Sequence, residues 1–217
     1  MSKPFLAFVA MVSFIGILPS FGAHAQSSQN FTFETHAAFF SKETKQPKVV
    51  DPQVFVADSQ AKAGTGPQNI VHASNFRPAV VSDDPSTPLY NANGDLLGFT
   101  LGSWLGAKGH VSIMPVEGGA AEITAEFTGL QPGGLYSLFE NHFDQKPVGF
   151  TPLDGRGSAN SFTADANGSA TLKIKAPQMP TSANAILLVF QSDGQSHGET
   201  RGEIGVNAHH QLIAKIP

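Results

Sequence analysis

The chain has 217 residues, with 13 Lys and Arg against 17 Asp and Glu and a formal net charge of -4 at pH 7. That balance speaks against a nucleic-acid partner and against an anionic membrane surface. No cysteine occurs in the sequence, so stability has to come from a packed core rather than from disulfides. The 22 Gly and 15 Pro are spread along the chain as turn residues would be, which favours many short strands over helices.

Residues 1–25 have the features of a secretory signal peptide. A single Lys precedes an apolar run at residues 5–18, and Ala23-His24-Ala25 matches a small-x-small cleavage site. The apolar run is too short for a spanning helix, so we expect no membrane span. We therefore expect an exported protein, periplasmic or extracellular, whose first residue after cleavage is Gln26.

The segment from residue 26 to residue 88 has a mixed pattern. Short apolar stretches at residues 31–34, 49–50 and 54–56 could each form a strand. Residues 82–88 contain two prolines in a polar run, which is typical of a linker or surface loop. Two alternatives stay open for this N-terminal extension: extra strands packed on the main domain, or an extended arm.

From residue 89 to residue 217 the pattern becomes regular and predicts one domain of short strands. This spacing of strands and turns is typical of an all-β, antiparallel Greek-key sandwich or barrel. The strand candidates are residues 96–104, 108–114, 120–128, 135–141, 160–164, 169–175, 185–191, 202–206 and 211–216.

A proline-glycine corner joins two of these strand candidates. Gly129-Leu130-Gln131-Pro132-Gly133-Gly134 supplies a Pro with a fixed φ and glycines that can adopt positive φ. The preceding residues 121–127 alternate between apolar and polar, as a half-buried strand does. Tyr136 follows the corner, and a tyrosine at this place can bond its hydroxyl back to nearby backbone.

Three further stretches carry local predictions. Residues 161–174 read as a hairpin around Asn167-Gly168, a pair suited to a tight turn. Residues 185–190 are apolar on both faces, which predicts a central strand. The long connection at residues 143–158 is where we expect a site, because long loops on rigid sandwiches tend to carry function.

The order of these features resembles the copper/zinc superoxide dismutase-like sandwich over about residues 95–217. This resemblance implies a superoxide dismutase-like Greek-key fold, although the corner and its tyrosine also resemble fibronectin-like and other immunoglobulin-like modules. The matching features, in chain order, are Gly129-Leu130-Gln131-Pro132-Gly133, the loop 143–158, Phe162-Thr163-Ala164-Asp165-Ala166-Asn167-Gly168, Leu187-Leu188-Val189-Phe190 and Gly202-Glu203-Ile204-Gly205-Val206.

The copper ligands of that family have no counterparts at the matching positions. Its His-x-His pair falls here on Leu138 and Glu140, and its later histidine falls on Phe190 or Gln191. Leu and Phe cannot ligate a metal, whereas copper sites need imidazoles at fixed geometry. The resemblance therefore implies the fold and not the dismutase reaction.

The histidines of residues 26–217 nevertheless suggest a metal hypothesis, because imidazole suits copper and zinc. His142 is the best candidate, with Glu140 on the same strand face as an orienting carboxylate. His197 lies with Asp193 in the polar loop after the central strand, and in the resembled fold this loop lies near the metal edge. We therefore expect His142, His197, Glu140 and Asp193 to converge on copper or zinc. The alternative is that these histidines lie on the surface with no common role.

His209 and His210 are adjacent, so on a strand they would point to opposite faces and would not chelate one ion together. The expected function is a non-catalytic binding protein for a ligand or protein partner, weakly metal-binding through His142 and His197. One alternative is an atypical metal-dependent superoxide dismutase assembled from shifted histidines. Another is a structural or interaction module with an exposed sheet edge.

Overall fold

The computed structural model describes residues 27–217, so the predicted signal peptide lies outside the described residues. The described chain has two short α-helices, α1 (His36–Glu43) and α2 (Leu101–Leu105), and two 3-10 turns, Pro67–Asn69 and Glu117–Gly119. Its strands are β1 (Gln29–Thr32), β2 (Glu34–Thr35), β3 (Val50–Ala57), β4 (Gly64–Thr65), β5 (Val71–His72), β6 (Phe76–Val80), β7 (Pro88–Tyr90), β8 (Leu96–Thr100), β9 (Lys108–Pro115), β10 (Ala121–Thr128), β11 (Leu135–His142), β12 (Gly149–Pro152), β13 (Ser161–Thr163), β14 (Ala170–Ala176), β15 (Asn184–Gln191) and β16 (Ala208–Lys215).

Two sheets form the body of the molecule. One has four strands in the order β1-β9-β10-β14, and the other has six, in the order β12-β11-β15-β16-β2 with β13 also paired to β11. The strand pairs are antiparallel, which confirms the predicted all-β antiparallel class. Ile113 and Ile123 from the first sheet share one buried cluster with Leu138 and Leu188 from the second, and this cluster is the core of the sandwich.

The N-terminal segment adds strands to this body. Strand β1 pairs with β9, and β2 pairs with β16 at the edge of the six-stranded sheet. Strand β3 belongs to a third sheet of order β6-β3-β7-β8, and its Val54 and Val56 lie in the main core. Strands β4 and β5 form a small separate pair. The N-terminal segment thus adds a strand to each sheet of the sandwich and contributes β3 and β6 to the third sheet.

Strand β15 is central, as its apolar sequence predicts. All of its residues are buried, because it lies between β11 and β16 with side chains packed on both faces. Ile186 and Leu188 face the main core, whereas Leu187 and Val189 pack in a second cluster that includes Phe39 of α1. Helix α1 begins after Thr35, whose hydroxyl accepts the Ala38 N–H. This helix covers the outer face of the six-stranded sheet.

The corner before β11 has the predicted geometry. The Tyr136 hydroxyl accepts the backbone N–H of Gln131 at 2.8 Å, which confirms the tyrosine contact. Gly129 and Gly133 both have φ of 71°, a conformation that glycine adopts without strain. The corner carries the chain from β10 in one sheet to β11 in the other.

The hairpin predicted at residues 161–174 is wrong. Its turn forms, because the Asp165 side chain accepts the N–H groups of Asn167 and Ser169. The flanking strands then diverge: β13 pairs with β11, and β14 pairs with β10 in the opposite sheet. Phe162 explains the separation, since its ring stacks between Phe127 and Tyr136 inside the sandwich. The turn residues determined the turn but not the strand pairing.

Other predicted elements also change. The strand at residues 96–104 ends at Thr100, where a capping box with Ser103 starts α2. Residues 202–206 form turns rather than a strand, with positive φ at Gly202 and Gly205. The long connection at residues 143–158 contains the edge strand β12, paired with β11. No helix within residues 27–217 is both long and apolar enough to cross a membrane.

Candidate functional site

His142 is the last residue of β11, and both of its ring nitrogens are engaged. The Asn184 side-chain amide lies 3.0 Å from Nδ1, and Thr151 Oγ1 lies 2.9 Å from Nε2. The Asn184 oxygen accepts from Thr181, so the Asn184 nitrogen is the donor to Nδ1. Nε2 therefore carries the proton, which it donates to Thr151, and His142 has no free lone pair for a metal.

Glu140 lies on the same face of β11 as His142, as predicted, and is half-buried. Burial raises the pKa of Glu140, and the nearby His142 acts in the opposite direction. No direct hydrogen bond joins the two side chains among the described residues. Glu140 is therefore a partly desolvated carboxylate beside a satisfied histidine.

His197 and Asp193 lie together in the loop after β15. His197 Nε2 is 3.0 Å from Asp193 Oδ2, which also accepts from Asn207. Their side chains are 22% and 29% exposed. His197 and Asp193 therefore contact each other directly, and Asn207 uses part of the hydrogen-bond acceptor capacity of Asp193.

The structure does not bring His142 and His197 together. His142 pairs with Asn184 at one end of β15, whereas Asp193 and His197 follow Gln191 at the other end. The eight paired residues from Asn184 to Gln191 span about 23 Å at the rise of a strand. One ion therefore cannot have both as ligands, and within residues 27–217 no three His, Asp or Glu side chains form a metal-holding group. Binding of copper or zinc stays a prediction.

A buried polar cluster that the sequence did not predict lies where β3, β16 and α1 meet. His209 and His210 are 0% and 2% exposed, so they are not surface residues. A bulge in β16 shifts the register between Leu188 and Val189, which places His209 opposite Phe190 and His210 opposite Val189. Both faces of the sheet are covered here, by the third sheet and by α1. A His-His pair inside an apolar C-terminal strand was the sequence signal for this cluster.

Gln53 of β3 holds both histidines. Its side-chain oxygen accepts the backbone N–H of His210 at 2.6 Å, and its backbone oxygen lies 2.9 Å from His209 Nδ1. Its side-chain nitrogen donates to Gln68 at 2.7 Å and lies 3.0 Å from His210 Nδ1. Gln53 is 0% exposed. The N-terminal segment is therefore hydrogen-bonded to the C-terminal strand inside the protein.

His36, the first residue of α1, meets His210 edge to face. His36 Nε2 lies 3.4 Å from His210 Nδ1, and the ring centroids are 4.8 Å apart. Burial lowers the pKa of His36 to about 3, with a smaller contribution from the Arg201 charge. Burial first, then His36, Arg201 and His209, lower the pKa of His210 well below its ordinary value. Both rings are neutral at neutral pH.

Arg201 completes the cluster from the loop before β16. Its Nη1 lies 3.0 Å from His210 Nε2, and its guanidinium carbon lies 3.2 Å from the centroid of the Phe150 ring. Arg201 is half-buried, and burial lowers its pKa to about 10. Among residues 27–217 no carboxylate lies within salt-bridge distance of it. Arg201 is therefore a stacked, partly desolvated cation for which the described part of the chain supplies no counter-charge.

A chain of hydrogen bonds leads from Arg201 across the same face of the sheet. Gln191 Nε2 donates to the Arg201 backbone oxygen at 3.4 Å and to Ser137 Oγ at 3.2 Å. Ser137, Ser161 and Ser196 follow with successive oxygen separations of 2.9 Å. The Gln191 side-chain oxygen is buried and has no protein partner in the described part of the chain. The face beside Arg201 is therefore polar and hydroxyl-rich.

Two surface clefts lie away from the guanidinium. One, of about 340 Å³, is on the outer face of the four-stranded sheet beside His110 and Glu126. The other, of about 400 Å³, lies beside the corner and reaches the polar cluster only through Gln191. Neither of these two clefts is lined by Arg201. Shallow clefts are common on protein surfaces, whereas a half-buried cation without a counter-charge is rare, so Arg201 is the better candidate for a binding residue.

No protein-family model matches this chain, and no curated protein matches it either. Its function therefore has to be inferred from the residues of the site.

Proposed function

We propose that this is an exported, non-catalytic binding protein that holds a small oxyanion, a carboxylate or phosphate group, at Arg201. The observation that carries the proposal is the half-buried guanidinium without an acidic partner in the described chain. Taking a charge out of water is unfavourable unless an opposite charge compensates it. A ligand that supplies this charge would be bound most strongly at Arg201.

Comparison with the other arginines of residues 27–217 supports this assignment. Arg77 is also half-buried, but it bonds to Asp83 at 2.8 Å and to Asp58 at 3.2 Å. Arg156 is exposed, so water compensates its charge. Arg201 alone of these three combines partial burial with no carboxylate.

The donor geometry of Arg201 also suits an oxyanion. A guanidinium has five N–H donors in a planar fork that matches a carboxylate or phosphate. Only Nη1 of Arg201 has a side-chain partner within residues 27–217, which is His210. Stacking on Phe150 fixes the plane of the fork. Nε and Nη2 are therefore available to a ligand in an oriented, low-entropy arrangement.

Anion titration of the purified mature protein tests this function. Sodium acetate and inorganic phosphate are titrated separately at constant ionic strength and followed by NMR of the backbone amides. We expect saturable binding in the wild type and in Arg156→Gln, and its loss in Arg201→Gln. Binding that survives in Arg201→Gln, or an absence of saturable binding in the wild type, would contradict the proposal.

We also propose that the protein is exported and that it has a superoxide dismutase-like fold. The signal-peptide pattern of residues 1–25 supports export, and secreted material whose N-terminal residue is not Gln26 would contradict that cleavage site. The corner, the central strand and the strand order along the chain support a superoxide dismutase-like Greek-key topology. Stoichiometric copper or zinc in the purified protein, with superoxide clearance, would instead favour the atypical dismutase.

A further inference from the structure

The His210 ring is surrounded by more hydrogen-bond donors than it can accept. The Gln53 side-chain nitrogen lies 3.0 Å from Nδ1, and Arg201 Nη1 lies 3.0 Å from Nε2. A neutral imidazole has a proton on one nitrogen and a lone pair on the other. In either tautomer, therefore, the protonated ring nitrogen faces another N–H donor in one of these two contacts.

Rotating the Gln53 amide does not remove this conflict. The Gln53 oxygen accepts the His210 backbone N–H at 2.6 Å, so the rotated amide would direct its nitrogen at that N–H. The other Gln53 donor is used by Gln68 at 2.7 Å. Arg201 cannot relieve the conflict either, because a guanidinium has donors only. Neither side chain can therefore supply an acceptor in place of the extra donor.

Without a ligand, the stronger donor decides the tautomer. Hydrogen bonds from a charged group are roughly twice as strong as those between neutral groups, so Arg201 takes the His210 lone pair at Nε2. The proton then lies on Nδ1, where the only acceptor that residues 27–217 supply is His36 Nε2 at 3.4 Å. This distance is long for a hydrogen bond. The ligand-free site therefore has a weak contact between His210 and His36, and a repulsive contact between the Nδ1 proton and the Gln53 side-chain nitrogen.

We propose that the bound oxyanion accepts from Arg201 and His210 together, and that binding moves the His210 proton from Nδ1 to Nε2. This inference rests on the anion-binding function proposed above. An oxygen that draws the guanidinium N–H away from Nε2 allows Nε2 to carry the proton and to donate to the same ligand. Nδ1 then becomes the acceptor that Gln53 requires. Every donor around the ring is then paired.

The proton balance of this step is zero. One proton leaves Nδ1 and one arrives at Nε2, exchanged through water, so the imidazole is neutral before and after binding. The burial that keeps His36 and His210 neutral is consistent with this. Binding therefore takes up no proton at neutral pH.

The ligand class follows from the same geometry. Arg201 and His210 both present N–H groups, so the site favours a ligand group that accepts hydrogen bonds and donates none. A carboxylate fits, whereas a primary amide of the same shape would direct its own N–H groups at donors. Sites with fixed hydrogen-bonding groups discriminate strongly against such analogues. We expect acetamide to bind at least about tenfold more weakly than acetate.

Histidine tautomers can be read directly by NMR. In ¹⁵N-labelled protein, two-bond proton–nitrogen correlations distinguish a protonated Nδ1 from a protonated Nε2, after assignment of the His210 ring. The spectrum is recorded for the free protein and at saturation with sodium acetate or inorganic phosphate. We expect the Nδ1–H pattern without anion and the Nε2–H pattern with it. The His142 pattern should stay Nε2–H throughout and is the internal control.

The outcomes separate the two proposals. If acetate and phosphate bind saturably and His210 keeps its free-state pattern, the tautomer inference is wrong while anion binding stands. If neither anion binds saturably, both are wrong. Arg201→Lys provides a second test in a folded variant, because it keeps the charge and loses the fork. We expect it to weaken acetate binding about tenfold and to abolish the change at His210.

Discussion

The indole N–H of Trp104 donates a hydrogen bond to the Asp51 carboxylate at 2.9 Å inside the protein. Each residue is 1% exposed. Asp51 also accepts the backbone N–H of Gln53 at 2.9 Å. Burial raises the pKa of Asp51 to about 6, and these hydrogen bonds act in the opposite direction. Strand β3 and helix α2 thus meet at a buried carboxylate with a raised pKa.

Trp104 fluorescence should report this titration. Trp104 is the one tryptophan of the chain, so its emission is assigned without ambiguity. We expect a change in emission with a midpoint near pH 6, as the carboxylate beside the indole gains its charge. Asp51→Asn should remove the transition, and the exposed-site variant His110→Gln should keep it. A transition unchanged in Asp51→Asn would assign it to another group.

Acid should destabilise the protein between about pH 6.5 and pH 4. The pKa values of His36 and His209 are lowered from 6.5 to about 3 and about 4, and that of His210 is also lowered, chiefly by burial. In this range the unfolded chain binds more protons, so stability falls as pH falls. Asp51 acts in the opposite sense, since its raised pKa makes the folded state bind the extra proton between pH 3.8 and about 6.

The three histidines and Asp51 together leave the unfolded chain with about two more protons than the folded protein, so the free energy of unfolding should fall by about 2.7 kcal/mol per pH unit. Urea denaturation at a series of pH values measures it. His209→Gln should reduce the slope by about one proton, whereas His110→Gln should leave it unchanged. A stability that is flat across this range would mean that the histidines are not buried neutral.

Tyr136→Phe should destabilise the corner. It removes the hydroxyl that accepts the Gln131 N–H at 2.8 Å, and Tyr136 is 0% exposed. A buried donor left without a partner costs about 1–3 kcal/mol. Tyr90→Phe is the matched control, because the Tyr90 hydroxyl has no protein partner among the described residues. Equal urea midpoints for the two variants would show that the corner contact contributes little.

Gly168→Ala should be far more damaging than Gly133→Ala. Gly168 and Gly133 have φ of 70° and 71°, so the backbone strain of alanine, about 1 kcal/mol, is common to both. A Cβ at Gly168 would be forced against the Leu130 carbonyl oxygen, whereas a Cβ at Gly133 meets nothing within 4 Å. We expect an additional loss of about 2 kcal/mol or more for Gly168→Ala, measured by chemical denaturation.

Arg201→Met should leave the ligand-free protein as stable as the wild type, or more stable by about 1 kcal/mol. The substitution removes a partly desolvated charge that no described carboxylate compensates, and it keeps apolar contact with Phe150. Arg77→Met is the control, because it removes the salt-bridge partner of Asp58 and Asp83 and should lower the melting temperature. A clear destabilisation by Arg201→Met would show that its charge is compensated after all.

The sequence by itself determined the features that depend on neighbours along the chain. Alternating apolar residues predicted β10, the apolar run at residues 185–190 predicted the central strand β15, and the corner residues predicted the contact of Tyr136. These features are local, because turn chemistry and strand periodicity act over a few residues.

Only the tertiary structure decided which groups meet. Gln53 and His210 are 157 residues apart in the chain and 3.0 Å apart in space, because β3 packs across the end of β16. The same long-range pairing places His142 and His197 at opposite ends of β15, although both had been predicted to share an ion. Strand pairing and the packing of a second sheet face depend on many contacts between residues that are far apart in the sequence. No short stretch of sequence encodes them, which is why the cluster around Arg201 could not be predicted from the sequence.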